Sequence, residues 1–505
     1  MKQRLVCLCL VLVLLSVSVA FAAGVSTSKP VKITGYLLGS APSGWNDVLV
    51  ALNKKLQRDL NVTMQVNWIG WGDMQSKYPL VLAAGDDIDW IYTANWCFYA
   101  QEAAKGAFLE VTPDMLKQYM PKHYKATNPA AWKEAKINGK TYMIPTSTPD
   151  KKISCVIIRG DLRKKYGVPE VKTFADLPAY FDAIKKNEPG MLPMQLDSNF
   201  DINAPFGYLH KGMGTDWMDI LATTGSGCGI VFDYEDPTGK LVKMTDPALL
   251  AQYKKAATIM KEWNAKDYFN KDVFANKVRS KDAFDQGRSA VGIGNSQDIQ
   301  ANLANARSKG WDAEIIPCLS LKGHYPADPF INNGVAVAAR SKNPERTLMV
   351  LDKIMEDKTY NYLVYFGILG KNYIVKNGKI DLPAGLTADK NTYPPDAAGY
   401  WFTNKDQFKP FASWDDKYIA LRKNLPKMLA QNVFAAFSPD TSAVKTEVAN
   451  LNQAIVEYLQ PIEVGAVPDV DAALATLKTK LEAAGIDKVL AEFTKQTQAY
   501  LASIK

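Results

Sequence analysis

The run Val31-Lys-Ile-Thr-Gly-Tyr-Leu-Leu38 is followed, after the loop Gly39–Gly44, by Leu49, Leu52, Leu56 and Leu60 at helical spacing, and then by Val62-Thr-Met-Gln-Val-Asn-Trp68. A β-rich stretch, an amphipathic helix and a second β-rich stretch in that order predict a βαβ unit with parallel strands under the helix. Residues 74–84 continue as a second helix and 88–93 as a third, short apolar strand. The rhythm returns later. Strands are expected at 153–158, 290–294, 315–317 and 333–339, with helices at 174–186 and from Pro344 to about Met355, the last with Asn343 as its N-cap. From Ser413 onward the pattern is helical. Val444, Val448, Leu451, Ile455 and Leu459 form one stripe; Leu474, Leu477 and Leu481 form another, ended by Gly485. The fold class is therefore α/β with a helical C-terminal region, and 505 residues are enough for two or three domains.

The N-terminus fixes the compartment. Lys2 and Arg4 precede an apolar run, Leu5 to Val19, that ends in Ala20-Phe-Ala-Ala23, the pattern of a secretory signal peptide cleaved after Ala22. No later segment approaches the roughly 18 apolar residues of a membrane span. Loss of Lys2 and Arg4 lowers the net charge from +8 to +6, with acids and bases interspersed, so neither a nucleic-acid stripe nor a polybasic membrane patch is present. An exported protein lies outside the reach of ATP and nicotinamide cofactors, which disfavours kinase and dehydrogenase readings. Cys97, Cys155, Cys228 and Cys318 lie far apart in sequence, and their spacing names no disulfide pair. With His123, His210 and His324 as the only histidines and no zinc spacing, neither a metal nor a cofactor is expected.

Five phrases carry a resemblance. Lys105-Gly-Ala-Phe-Leu-Glu-Val-Thr-Pro-Asp114, Ile137-Asn-Gly-Lys-Thr-Tyr-Met-Ile-Pro145 and Ile157-Ile-Arg-Gly-Asp-Leu-Arg-Lys-Lys-Tyr-Gly167 come first. Phe284-Asp-Gln-Gly-Arg-Ser-Ala-Val-Gly292 follows, then Asn343-Pro-Glu-Arg346 with Tyr365-Phe-Gly-Ile-Leu-Gly-Lys-Asn-Tyr373. In this order they resemble the extracellular solute-binding proteins of ATP-binding-cassette importers, the maltose-binding-protein superfamily, and within it an oligosaccharide-binding subgroup with an uncharacterised C-terminal domain. The resemblance implies a two-lobed periplasmic-binding-protein fold, each lobe a mostly parallel sheet flanked by helices. It places lobe 1 at residues 31–146 and about 318–390, and lobe 2 at 147–317 and about 391–505. It also implies a monomer that closes on a ligand between the lobes and delivers it to a permease. Many relatives are lipoproteins, but Cys7 and Cys9 lie too early for a lipobox, so a periplasmic location fits.

A sugar site needs aromatic rings for C–H faces and polar side chains for hydroxyls. Trp45, Trp71, Asn95, Trp96 and Tyr99 are candidates at the ends of the first strands, where ligands gather in open α/β sheets. Asn95 and Trp96, and on the second lobe Asn295, Ser296, Gln297 and Asp298, match the family's ligand loops; helix capping by Ser296 and Asp298 is the plainer reading of the latter. Asp216 and Trp217 in a Gly-rich loop, Tyr373, Trp401 and Trp414 complete the set. Trp90 and Trp263 read as core, and one of Trp68 and Trp71 as packed. Asp86, Asp87 and Asp89 read as a solvated turn, and Asp233-Tyr-Glu-Asp-Pro-Thr-Gly239 as a hairpin turn without the ligands of a calcium loop. Gly225-Ser-Gly-Cys-Gly229 lacks the order of a nucleophile elbow. The alternatives are a secreted carbohydrate-active enzyme, which needs two carboxylates across a sugar bond, and a peptide binder of the same fold.

Overall fold

The computed structural model describes residues 27–84, 87–221, 227–435, 437 and 439–504. The expected signal peptide at 1–22, Asp86 and the start of the Gly225–Gly229 run lie outside them. The strand Val31–Leu38 and the helix Met74–Ala84 form with the expected bounds. The intervening helix is Trp45–Leu60 and the second strand Val62–Ile69. Val48, Leu52, Leu56 and Leu60 turn inward from that helix, so its leucine spacing is the face that covers the sheet.

The first sheet has the spatial order Val62–Ile69, Val31–Leu38, Trp90–Thr93, Gly334–Val337, Ile144–Pro145. Its first three strands are parallel, while Gly334–Val337 runs antiparallel to both of its neighbours. The second sheet has the order Ala313–Pro317, Ser154–Arg159, Ser289–Asn295, Leu192–Met194. There only the last pairing is parallel, so this lobe's sheet is mixed rather than mostly parallel. Connectivity explains both reversals. Ser154–Arg159 follows the first crossing and runs away from the lobe boundary, whereas Ala313–Pro317 leads back to it. Gly334–Val337 likewise begins at the return crossing and runs outward.

Each sheet sits in its own apolar core. The first gathers Leu37, Leu52, Trp90, Ile91 and Val335. The second gathers Val156, Phe181, Ile230 and Trp263, and the C-terminal helices add Leu451, Leu474, Leu477, Leu481 and Phe493 to it. The stripe at 444–459 passes through a wider π turn at Ile455–Leu459, and helices Val470–Ala483 and Ile486–Ile504 complete the region. Tyr393, Tyr400 and Phe402 belong to the first core, so the chain stays with lobe 1 beyond the boundary expected near 390. Trp414 and Tyr418 then pack with Ile153 and Tyr325 of the crossings. Asn343 sits at the expected N-cap of Pro344–Glu356, but its side chain makes no capping bond. The 233–239 segment is the expected hairpin turn, joining the antiparallel strands Ile230–Asp233 and Leu241–Lys243. Cys155 and Cys318 lie near each other but pack in different cores on opposite faces of the second sheet, and all four described cysteines are free. Among the described residues no helix is long and apolar enough to cross a membrane.

Gly35 marks the tightest point of the first sheet. A Cβ there would lie 2.0 Å from Cε2 of the fully buried Trp90. Gly35→Ala should therefore lower unfolding stability by about 1–3 kcal/mol, the usual cost of overpacking a core. Urea denaturation checks this, and an unchanged midpoint would contradict the packing described.

Candidate ligand site between the lobes

Parallel strands deliver their carboxyl ends to one edge, and the loops beyond them carry the site. After Ile69 the chain makes a short turn, Trp71–Asp73, that leaves Trp71 half exposed (50 %). After Thr93 it turns back on itself, Cys97 N donating to Ala94 O, and offers Trp96. Trp401 arrives from the C-terminal return. Trp71 stacks on Trp401 with ring centroids 5.6 Å apart at 25° and on Trp96 at 6.3 Å and 29°. Tyr92 stands edge-on to Trp401 at 5.3 Å and tilted against Trp96 at 5.9 Å. Polar bonds fix the rings: Trp96 Nε1 donates to Asn332 O at 2.9 Å and Trp401 Nε1 to Asp396 O at 3.1 Å. Beside them, Asn95 Oδ1 is buried and has no partner among the described residues, while its main-chain N–H donates to Ile331 O.

A buried polar chain lies under the stack. Tyr92 OH donates to Asn333 Oδ1 (2.7 Å), Asn333 Nδ2 to Asp150 Oδ2 (2.9 Å), and Lys405 Nζ to Asp150 Oδ1 (2.8 Å). Burial alone would raise the Asp150 carboxyl. Lys405 and Lys152, with the hydrogen bonds from Lys405 and Asn333, outweigh it and hold the group below its ordinary value. Lys152 pairs with Asp328 at 3.0 Å. Asp396 is raised by burial, with Lys405 and the Tyr365 hydroxyl opposing and Asp150 and Asp298 reinforcing. Tyr365 OH donates to Asp396 Oδ1 at 3.1 Å. From the second lobe, Gln297 lies close enough to that phenol to oppose the rise that burial imposes on it.

The expected residues divide. Trp71, Asn95, Trp96 and Trp401 come together, and Gln297 faces them through Tyr365. Trp45 does not: it is buried, edge-on to Trp68 at 4.6 Å and stacked near Tyr393 and Tyr400, because the first turn of its helix faces the core. Tyr99 is buried with its hydroxyl on Ala135 O, and Tyr373 is buried against Phe366. Ser296 is fully buried, its Oγ accepting from Ile153 N at 3.2 Å. Asn295 and Asp298 close a reciprocal turn, Asn295 Oδ1 accepting from Asp298 N and Asp298 Oδ1 from Asn295 N, so their oxygens serve the loop. Asp216, its carboxyl raised by burial, accepts from Tyr234 OH, and Trp217 pairs in a strand with Asp233; both belong to the second lobe. Trp414 Nε1 donates to Gln300 Oε1 and its ring lies between Phe411 and Tyr418. Tyr92, Asp150, Asn333, Tyr365, Asp396 and Lys405 were not expected at the site: five of them sit in strands, turns or loops without a motif, and Tyr365 opens a quoted phrase but stands on a helix face that reads as core.

The turn Phe330–Asn332 presents Ile331 O and Asn332 O to Asn95 and Trp96, and Glu134 holds it. Glu134 Oε2 accepts from Phe330 N at 2.6 Å. Burial lifts this carboxyl from 4.5 to about 7, opposed by the Phe330 and Ile331 N–H groups. Below pH 4.5 it is neutral folded and unfolded and its contribution is complete; that contribution is lost as pH rises through about 7, where the folded chain must hold a buried anion. Glu134→Gln should thus flatten the fall in unfolding free energy between pH 4.5 and 7. Denaturation across that range tests it; parallel slopes for parent and variant would contradict it.

Comparison with known proteins follows the same lines. The family model described as "Bacterial extracellular solute-binding protein" matches residues 40–352, and a domain of unknown function matches 433–502. A carbohydrate ABC transporter substrate-binding protein of Streptococcus pneumoniae is 25 % identical over 492 residues, covering 96 % of this chain and 93 % of that protein. A polygalacturonan/rhamnogalacturonan-binding protein of Bacillus subtilis is 25 % identical over 339 residues, 63 % of each. The crystal structure of an N-glycan transport solute binding protein from Streptococcus pneumoniae superposes with a TM-score of 0.76 at 22 % identity, over 94 % of this chain and 100 % of that one.

Proposed function

The chain belongs to the bacterial extracellular solute-binding protein family, and on that premise we propose that it captures an oligosaccharide between its two lobes and delivers it to an ABC-type permease. The observation that carries the reading is the stack of Trp71, Trp96 and Trp401 at the lobe edge. Two rings held by main-chain acceptors and a third left half open present flat apolar faces that match the C–H face of a sugar, and nearby amides and carboxylates match its hydroxyls. Similarity to a carbohydrate ABC transporter substrate-binding protein over almost the whole chain supports the same ligand class and the same partner.

On this reading Gln297, on the second-lobe loop near Tyr365, meets a ligand resting on the stack, so occupancy would favour the closed arrangement that a permease recognises. Lobe 1 then comprises residues 31–146 and about 330 to 411, and lobe 2 the remainder with the C-terminal helices. The protein works as an exported monomer in the periplasm, released from its signal peptide. Its task is binding without turnover: the Asp150 carboxylate under the stack is already held by Lys405 and Asn333.

Trp71→Ala should weaken oligosaccharide binding by about 1–3 kcal/mol, the range of an aromatic anchor at a site. Its melting temperature without ligand should stay near that of the parent, since half of the ring is already exposed. Calorimetric titration with a neutral oligosaccharide panel, with mass spectrometry of the recovered sugar, tests both points. Unchanged affinity in the variant would remove the stack from the site, and a shortened sugar would replace binding by hydrolysis.

A further inference from the structure

The charged groups around the stack differ in what they leave free. Lys405 pairs with Asp150 at 2.8 Å, Lys152 with Asp328 at 3.0 Å and Lys281 with Asp298 at 3.3 Å. Among the described residues Asp396 makes no ion pair; its carboxylate accepts the Tyr365 hydroxyl. Its main chain is tied to the platform, since its carbonyl receives Trp401 Nε1. Its backbone is left-handed, with φ at 71°, a conformation that Asp and Asn tolerate better than other side chains. The charges it senses are Lys405, already paired, and the carboxylates of Asp150 and Asp298. The arginines that stack on tryptophan, Arg159 on Trp311 and Arg422 on Trp414, belong to rings outside the stack.

Among the described residues the lysines beside the stack, Lys405, Lys152 and Lys281, are each paired with a carboxylate, and Lys211, which makes no ion pair, lies over the Tyr325 ring from the second lobe. A neutral sugar presents hydroxyl donors, and a carboxylate accepts them more strongly than an amide does. A uronate brings its own carboxylate, which would have to be buried beside Asp396 and Asp150 without the guanidinium fork that suits it.

We propose that the site selects by charge: it takes neutral oligosaccharides, with Asp396 accepting sugar hydroxyls beside Trp401, and discriminates against uronate-bearing glycans. This rests on the oligosaccharide reading above and adds to it the class of sugar.

Calorimetric titration at low salt with neutral tetrasaccharides (cellotetraose, mannotetraose, lacto-N-tetraose) and charged ones (tetragalacturonate, tetramannuronate) tests it. The expected result is saturable binding of a neutral member, about tenfold or more tighter than either uronate. Asp396→Asn keeps shape and backbone tolerance, and should narrow the ratio to within about threefold. In the parent, added NaCl should raise uronate affinity by screening the repulsion, a readout that does not depend on the variant folding. A uronate bound more tightly than every neutral sugar would overturn the proposal, as would a ratio that neither the substitution nor salt moves. If uronate binding is also lost in Trp71→Ala, the platform reading survives and charge selection alone falls. Binding of neither class would remove the oligosaccharide reading and this inference together.

Discussion

The structure depends on one buried carboxylate. Asp150 sits in the first crossing between the sheets and receives Lys405 from the C-terminal return and Asn333 from the return crossing. A charge in that position is costly unless its oxygens are filled. Filling them brings three sequence-distant segments to one point. Asn333 then hands the order on to Tyr92, whose ring braces Trp96 and Trp401. The aromatic platform therefore stands on a polar knot, and removing one partner would leave the others buried without compensation.

This arrangement divides the work between rigid and open parts. The first core and the knot fix the rings to within the reach of main-chain acceptors, while Trp71 keeps half of its surface free. The second lobe approaches through a loop whose Asn295, Ser296 and Asp298 are occupied with its own shape, leaving Gln297 to face across. On the proposed reading a sugar pays little ordering cost at the platform, because the rings are already placed. Its contact with the second lobe is then what biases the molecule toward closure. Asp396, tied to Trp401 by its main chain and free of an ion pair, gives the platform a charge preference that the net charge of the chain conceals.

Much of the scaffold was legible in the sequence, and the reasons are local. Val31–Leu38 forms with the expected bounds because its β-branched run is bounded by a loop, and the leucine spacing up to Leu60 marks the face that Trp45–Leu60 buries; Met74–Ala84 also keeps the expected bounds, although its Leu80 is exposed and its Leu82 buried. Sheet direction in the second lobe was not legible, since whether a strand enters or leaves a crossing depends on the whole path of the chain. Trp71 and Trp96 could be found because each follows a strand end, and Trp401 only through the family resemblance, yet Trp45 and Tyr99 have the same positional signal and are buried. Loop position shows that a ring can reach the edge; the first turn of a helix can aim it inward instead. Asp150, Asn333 and Lys405 had no signal at all, because their meaning lies in a contact between residues up to 255 positions apart.

The most direct test of ligand capture between the lobes over the tryptophan stack is a crystal structure of the protein with a bound neutral oligosaccharide. The account predicts a sugar ring in van der Waals contact with Trp71, Trp96 or Trp401, a hydroxyl donated to Asp396, and a second-lobe contact through Gln297. A sugar bound away from the stack, or touching one lobe alone in the closed form, would contradict it.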